Sequence, residues 1–183
     1  MRDQKTWETQ ILPKIIEQFS PRIQHDLRTI PPPDPPNPLV STYIFGPVGS
    51  GKTLEAIHMM IEANRVRWLE AMSRDILFVS VPELIVEIQD SFNTKNITQR
   101  EILDKYSNAH LLVLDDLGAE KPTEFVITTL YLIINRRYEN MLTTVITSNY
   151  DYNDLADIID ERIIDRIDRS YLIFEKTAKW KTK

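Results

Sequence analysis

Three of the four glycines in the chain fall within eight residues, Gly46-Pro47-Val48-Gly49-Ser50-Gly51-Lys52-Thr53, a spacing that fits G-x-x-x-x-G-K-[ST]. Glycine lets backbone turn sharply and approach another group closely, so a glycine-poor chain that groups them here is shaping backbone for a ligand. Successive N–H groups of such a loop point inward. With the positive end of a following helix they hold phosphate oxygens without side chains. Lys52 then reaches the outer phosphates as a point charge, the Thr53 hydroxyl ligates Mg2+, and Leu54 completes the cradle. The ligand these residues fit is a nucleoside triphosphate, ATP being the expected one.

The fourth glycine, Gly118, closes the run Leu111-Leu112-Val113-Leu114-Asp115-Asp116-Leu117-Gly118. An apolar run ending in two acids reads as a buried strand delivering carboxylates at its C-terminal tip, where α/β sheets bind ligands. Side chains alternate along a strand, so Asp115 is expected to face the glycine loop and hold Mg2+ through water. Asp116 then stands where a general base orients and deprotonates an attacking water. Thr147-Ser148-Asn149 ends another apolar run and brings the Asn149 amide beside the acids, to position that water or read the γ-phosphate. Arg162, Arg166 and Arg169 recur at spacings of four and three and share one helix face. Among Glu161, Asp165 and Asp168 they suit either solvated ion pairs or an arginine finger inserted into a neighbouring subunit's site.

The elements that must hold these groups alternate. Apolar, β-like runs at 39–45, 76–81, 111–115, 143–147 and 171–174 are separated by helical stretches from 52 to about 73, at 82–92 and 98–107, from 122 to about 140, and at 154–168. This pattern predicts an α/β fold, a five-stranded parallel sheet covered by helices on both faces. Pro82 and Pro122 suit first helical turns, where a missing N–H costs nothing. Residues 1–30 read as a short helical extension in which Trp7, Ile11, Ile15 and Phe19 recur every four residues, and Pro13 is expected to kink or restart the helix. That stripe either packs on the main domain or docks a partner. Residues 31–38 hold six prolines and form a linker, and 39–183 are the ATPase domain.

The 183 residues suffice for one full-sized core. No apolar run approaches the length of a membrane span, the N-terminus lacks a signal-peptide core, and the lack of cysteine removes disulfides and thiolate metal sites. The expected address is cytoplasmic, with no membrane partner. A net charge of -5 argues against wholesale coating of nucleic acid and leaves room for a local basic groove. The basic tail 176–183, with Trp180, serves solubility or touches nucleic acid.

Segments 78–84, 111–121, 136–140, 147–149 and 161–167 together, in this order, resemble the helicase-loader AAA+ ATPases of the DnaC and DnaI type, which are closely similar to the IstB-type ATP-binding proteins of transposition. The run Leu114-Asp115-Asp116-Leu117-Gly118-Ala119-Glu120-Lys121 and the run Thr147-Ser148-Asn149 are its most specific parts. The resemblance covers roughly residues 39–175 and implies a P-loop NTPase of the AAA+/ASCE type with no helical lid after the fifth strand. It implies Walker A roles for Lys52 and Thr53, Walker B roles for Asp115 and Asp116, sensor I for Asn149, and the arginine finger for Arg166 with Arg162 auxiliary. It further implies an ATP-dependent homo-oligomer that binds a replicative DNA helicase, contacts single-stranded DNA and helps place the helicase on it. Loader N-terminal domains are usually larger than the segment before residue 39 here, and some carry zinc-binding cysteines that are absent. The core motifs do not separate a loader from a transposition ATPase that delivers target DNA to a transposase. A small-molecule kinase shares the glycine loop, but the acid pair followed by Ser-Asn on a later strand, and the lack of an arginine-rich lid, argue against it.

Overall fold

A computed structural model describes residues 3–30, 37–70, 75–93 and 97–177. The apolar runs become strands β1 (Thr42–Phe45), β2 (Ile76–Ser80), β3 (Leu111–Leu117), β4 (Thr143–Ser148) and β5 (Leu172–Glu175). All pair in parallel, in the order β2-β3-β4-β1-β5. Strand β4 therefore lies between β1 and β3, and the glycine loop after β1 is separated from the acids on β3 by the strand that Asn149 directly follows. Alternation along β3 feeds two cores. Leu112 and Leu114 join Tyr43, Val79 and Ile146 on one face, while Leu111 and Val113 join Ile44 and Val145 on the other.

The first face is covered by α5 (Val81–Ser91), α6 (Gln99–Asn108), α7 (Glu124–Glu139) and α9 (Glu161–Ser170); α8 (Tyr152–Ala156) contributes Leu155 to the same core. The second is covered by α4 (Lys52–Leu69) and by the N-terminal segment, made of α1 (Gln4–Thr6), a π-helical turn at Trp7–Ile11, α2 (Leu12–Ile16) and α3 (Pro21–Thr29). The wide π turn sits directly before Pro13, where it makes room for a ring that would clash in a regular α-helix. Trp7 is buried beside Met59, Met60 and Ala63 of α4, and Phe19 meets Phe78 of β2 edge-on with ring centroids 5.2 Å apart. Of the two readings for the apolar stripe, packing on the main body is the one observed.

Several boundaries differ from the sequence expectation for local reasons. Pro38 and Leu39 form a turn and Val40 a bend, so β1 starts at Thr42. Helix α7 begins after Pro122, because Thr123 Oγ1 accepts the Val126 N–H as its N-cap. The expected helix 154–168 divides in two, with Asp151 capping α8 and Asp160 capping α9. Residues 31–36 of the linker expected at 31–38, the last turn of the helix expected to reach 73, and residues 178–183 of the basic tail at 176–183 lie outside the described residues.

Arg137 fixes the end of the sheet remote from the glycine loop. Its side chain is fully buried and donates to the carbonyls of Tyr106, Ser107, Ala109 and Thr143 and to Thr144 Oγ1. One guanidinium thus ties the C-terminal end of α6 to the start of β4. Burial lowers its pKa to about 10, so it stays charged at neutral pH.

Candidate nucleotide site

The loop between β1 and α4 takes its shape from backbone conformations closed to most residues. Gly46 has φ +150°, and a Cβ there would stand 2.2 Å from the Lys176 carbonyl oxygen, so the chain leaving β5 packs directly against the loop. Gly49 has φ +78° and open space where a Cβ would project, which leaves the backbone approachable. Ser50 Oγ is buried without a partner among the described residues, a polar atom inside the loop awaiting one.

Lys52, in the first turn of α4, is 5% exposed and folds back over the loop. Its Nζ donates to Gly46 O at 2.9 Å, Pro47 O at 3.1 Å and Asn149 Oδ1 at 2.9 Å, so the loop lysine and the amide after β4 already touch. Thr53 Oγ1 donates to Asp115 Oδ2 at 3.1 Å, and Thr147 Oγ1 donates to Asp115 Oδ1 at 2.6 Å. Burial pushes the Asp115 carboxyl above its ordinary value, with the Asp116 charge adding to this and Thr147, Thr53 and Lys52 opposing it. Burial lowers the Lys52 ammonium, against the pull of Asp116 and Asp115.

Simple alternation would send the two acids to opposite sides of the sheet. The structure does otherwise. The β3–β4 register jumps between Leu114 and Leu117, setting Asp115 and Asp116 against Thr147 alone, and Asp116 has φ +60° with its N–H donated to Thr147 Oγ1 at 2.9 Å. This is a β-bulge, and it returns the second carboxylate to the same cleft as the first. A left-handed non-glycine costs on the order of 1 kcal/mol or more and persists where surrounding bonds hold it. Glu120, two residues past Gly118, is half-buried, and burial raises its carboxyl, with Asp116 contributing.

The cleft has a volume of about 500 Å³ and is lined by Gly49, Lys52, Thr53, Asp115, Asp116 and Asn149. Val48, Gly51 and Leu54 line it as well. Its other wall was not foreseen: Arg22, Ile23, Asp26 and Ile30, from α3 and its end, complete it. Ser20 followed by Pro21 is a helix-start signal that could have located α3, but its position over the cleft comes from tertiary packing. Arg162 and Arg166 do not line the cleft. Arg166 donates to Asn135 Oδ1 at 3.0 Å, pairs with Asp165 and lies over the Tyr138 ring. Arg162 grips Asp160 through two 2.8 Å bonds and lies over the Tyr131 ring, 4.1 Å from its centroid.

The donor set fits a magnesium-bound triphosphate. Mg2+ is characteristically bound through one or two protein oxygens, with phosphate and water completing an octahedron, and Thr53 Oγ1 beside Asp115 supplies such a pair. Among the described residues no cluster of three or more His, Cys, Asp or Glu side chains offers a self-contained metal site. No helix of the described residues is long and apolar enough to cross a membrane.

Residues 22–170 match the model of the IstB-like ATP binding protein family. The chain is 29% identical over 133 residues to the replicative helicase loader DnaC of Buchnera aphidicola subsp. Baizongia pistaciae, an alignment covering 72% of this chain and 52% of that protein. The chain spans about half the length of the DnaC relatives it matches. A crystal structure of the DnaC helicase loader superposes with a TM-score of 0.64 at 20% identity, covering 95% of this chain and 99% of that one. A crystal structure of DnaI superposes with a TM-score of 0.63 at 25% identity, covering 89% and 93%. A P-loop at the end of β1, a central β4 between it and the acidic strand, and a family match spanning most of the sequence lead to one assignment: the chain belongs to the IstB-like ATP-binding proteins, with the fold of the AAA+ ATPases.

Proposed function

We propose that this chain is a Mg2+-dependent ATPase that serves as a DNA replication accessory factor, loading the replicative helicase. The observation that carries this reading is the convergence on one cleft of Lys52 bonded to Asn149, Thr53 bonded to Asp115, and Asp116. The loop backbone of residues 46–51 cradles the phosphates, and Lys52 exchanges its carbonyl partners for phosphate oxygens. Thr53 and Asp115 would hold Mg2+, which when bound would supply charge neutralisation on the phosphates. Asn149 positions the attacking water and Asp116 accepts its proton as the bond from the γ-phosphorus to the bridging oxygen breaks. The ATPase unit is residues 39–183, preceded by the helical extension 1–30 and the linker 31–38.

Arg166, with Arg162 as auxiliary, acts on the site of a neighbouring copy. Their position outside their own cleft supports action in trans, and with it an ATP-dependent homo-oligomer. The loader reading rests on the DnaC and DnaI likenesses and extends to contact with single-stranded DNA in the cytoplasm. The family match favours one alternative, a transposition ATPase delivering target DNA to a transposase. Affinity capture from host lysate with and without ATP separates the two. ATP-dependent recovery of the replicative helicase supports the loader, recovery of a transposase supports the alternative, and a wild-type protein that hydrolyses ATP no faster than Asp116→Asn refutes the ATPase reading.

A further inference from the structure

A triphosphate carries about four negative charges; Mg2+ at Thr53 and Asp115 would offset about two of them, and the recognised motifs add a single cationic side chain, Lys52. Asp115 and Asp116 line the same space, and Asp26 adds a third carboxylate from α3. Among the described residues the cleft has one other cationic side chain, Arg22, at the start of α3. Lys52 Nζ is engaged by three acceptors, whereas the Arg22 guanidinium forms no ion pair or hydrogen bond with the described residues. Among the ion pairs of the described residues none joins Asp26, one helical turn on, to Arg22. The other arginines considered for phosphate chemistry, Arg162 and Arg166, are held by Asp160 and Asp165 outside the cleft.

The helix bearing Arg22 is anchored. Ser20 Oγ accepts the Ile23 N–H, Pro21 pre-sets the first turn, and Gln24 Nε2 donates to Phe19 O at 2.8 Å. Phe19 is in turn seated on Phe78, and the preceding Trp7 is buried against α4. The chain therefore places a planar, permanently charged fork in the lining of the cleft that the glycine loop also lines, from an element outside that loop, and leaves its donors unspent. Guanidinium donors match phosphate oxygens in paired geometry, which an ammonium does not.

We infer that Arg22 is a second triphosphate-binding cation, contacting phosphate oxygens within its own chain, an assignment that rests on the ATP-site reading above. Three variants of the full chain, Arg22→Gln, Arg22→Lys and Lys52→Ala, are titrated with ATP, ADP and adenosine in the presence of Mg2+, and each apo protein is melted. Loss of a charged hydrogen bond to phosphate predicts that Arg22→Gln binds ATP at least about tenfold more weakly, with partial recovery in Arg22→Lys. Adenosine binding and the apo melting temperature are expected to stay as in wild type, which a merely structural role for Arg22 would not produce. Wild-type ATP affinity in Arg22→Gln, alongside a weakened Lys52→Ala, overturns the assignment and leaves the site standing. Equal weakening of adenosine and ATP overturns it as well, since the effect then is not on phosphate. A wild type that binds no ATP removes the site itself.

Discussion

Replacing Arg137 by Met tests whether the site's scaffold is held from its far end. The substitution keeps an unbranched chain of similar length and deletes the donors now serving the carbonyls of Tyr106, Ser107, Ala109 and Thr143 and the Thr144 hydroxyl. Tyr106 and Ser107 are in the last turn of α6, where intrahelical donors run out, so their carbonyls have no replacement from the helix. Each buried acceptor left unsatisfied costs about 1 kcal/mol or more, offset in part by relief from burying a charge. The net expected loss is about 3–5 kcal/mol. Against a total stability of about 5–15 kcal/mol that is a large fraction. Chemical denaturation of the ligand-free protein, fitted for midpoint and slope, reads it directly. Because Arg137 lies at the end of the sheet opposite the cleft, ATP affinity of the folded fraction should not change. A denaturation free energy within about 1 kcal/mol of wild type would refute the reasoning.

Two further outcomes follow from the site. Burial raises the Asp115 carboxyl, so the folded chain keeps this proton where the unfolded chain, near 3.8, has lost it. The ligand-free protein should lose stability as pH rises from that value through the raised one, and Asp115→Asn should flatten this slope, melt no lower than wild type at neutral pH, and lose the extra stabilisation given by MgATP. A ligand-free Asp115→Asn that melts lower than wild type at pH 7 would contradict it. If Arg166 acts in trans, neither Arg166→Ala nor Asp116→Asn alone hydrolyses ATP well, yet mixing them restores part of the rate at shared interfaces; no restoration at any ratio would count against it.

Much of the site is written in local sequence, because the chemistry fixes backbone and spacing together. Gly46 to Thr53 must sit between a strand and a helix to present N–H groups, and the apolar runs on either side announce both. The acids at 115 and 116 were visible as an acidic strand end, but their shared orientation was not, since it depends on a bulge and on a positive φ at Asp116 held by Thr147 from another strand. Nor does spacing reveal that β4 inserts between β1 and β3, which is what lets Asn149 reach Lys52. The wall made by α3 was hidden for the same reason. A residue such as Arg22 carries no motif, and only packing of Trp7 and Phe19 against α4 and β2 brings it to the cleft. Arg137 lies in the segment 136–140 that carries the family resemblance, but no spacing there marks its full burial, which follows from the end of α6 meeting the start of β4.

On the proposed reading, the loop from Gly46 to Thr53 binds a triphosphate through Lys52 opposite Asp115. Isothermal titration of wild type and Lys52→Ala with MgATP, after confirming that both are folded, tests it most directly. Saturable binding by wild type is expected, with an affinity at least about tenfold lower in the variant, as for a lost charged contact. Equal affinity in the two proteins would contradict it.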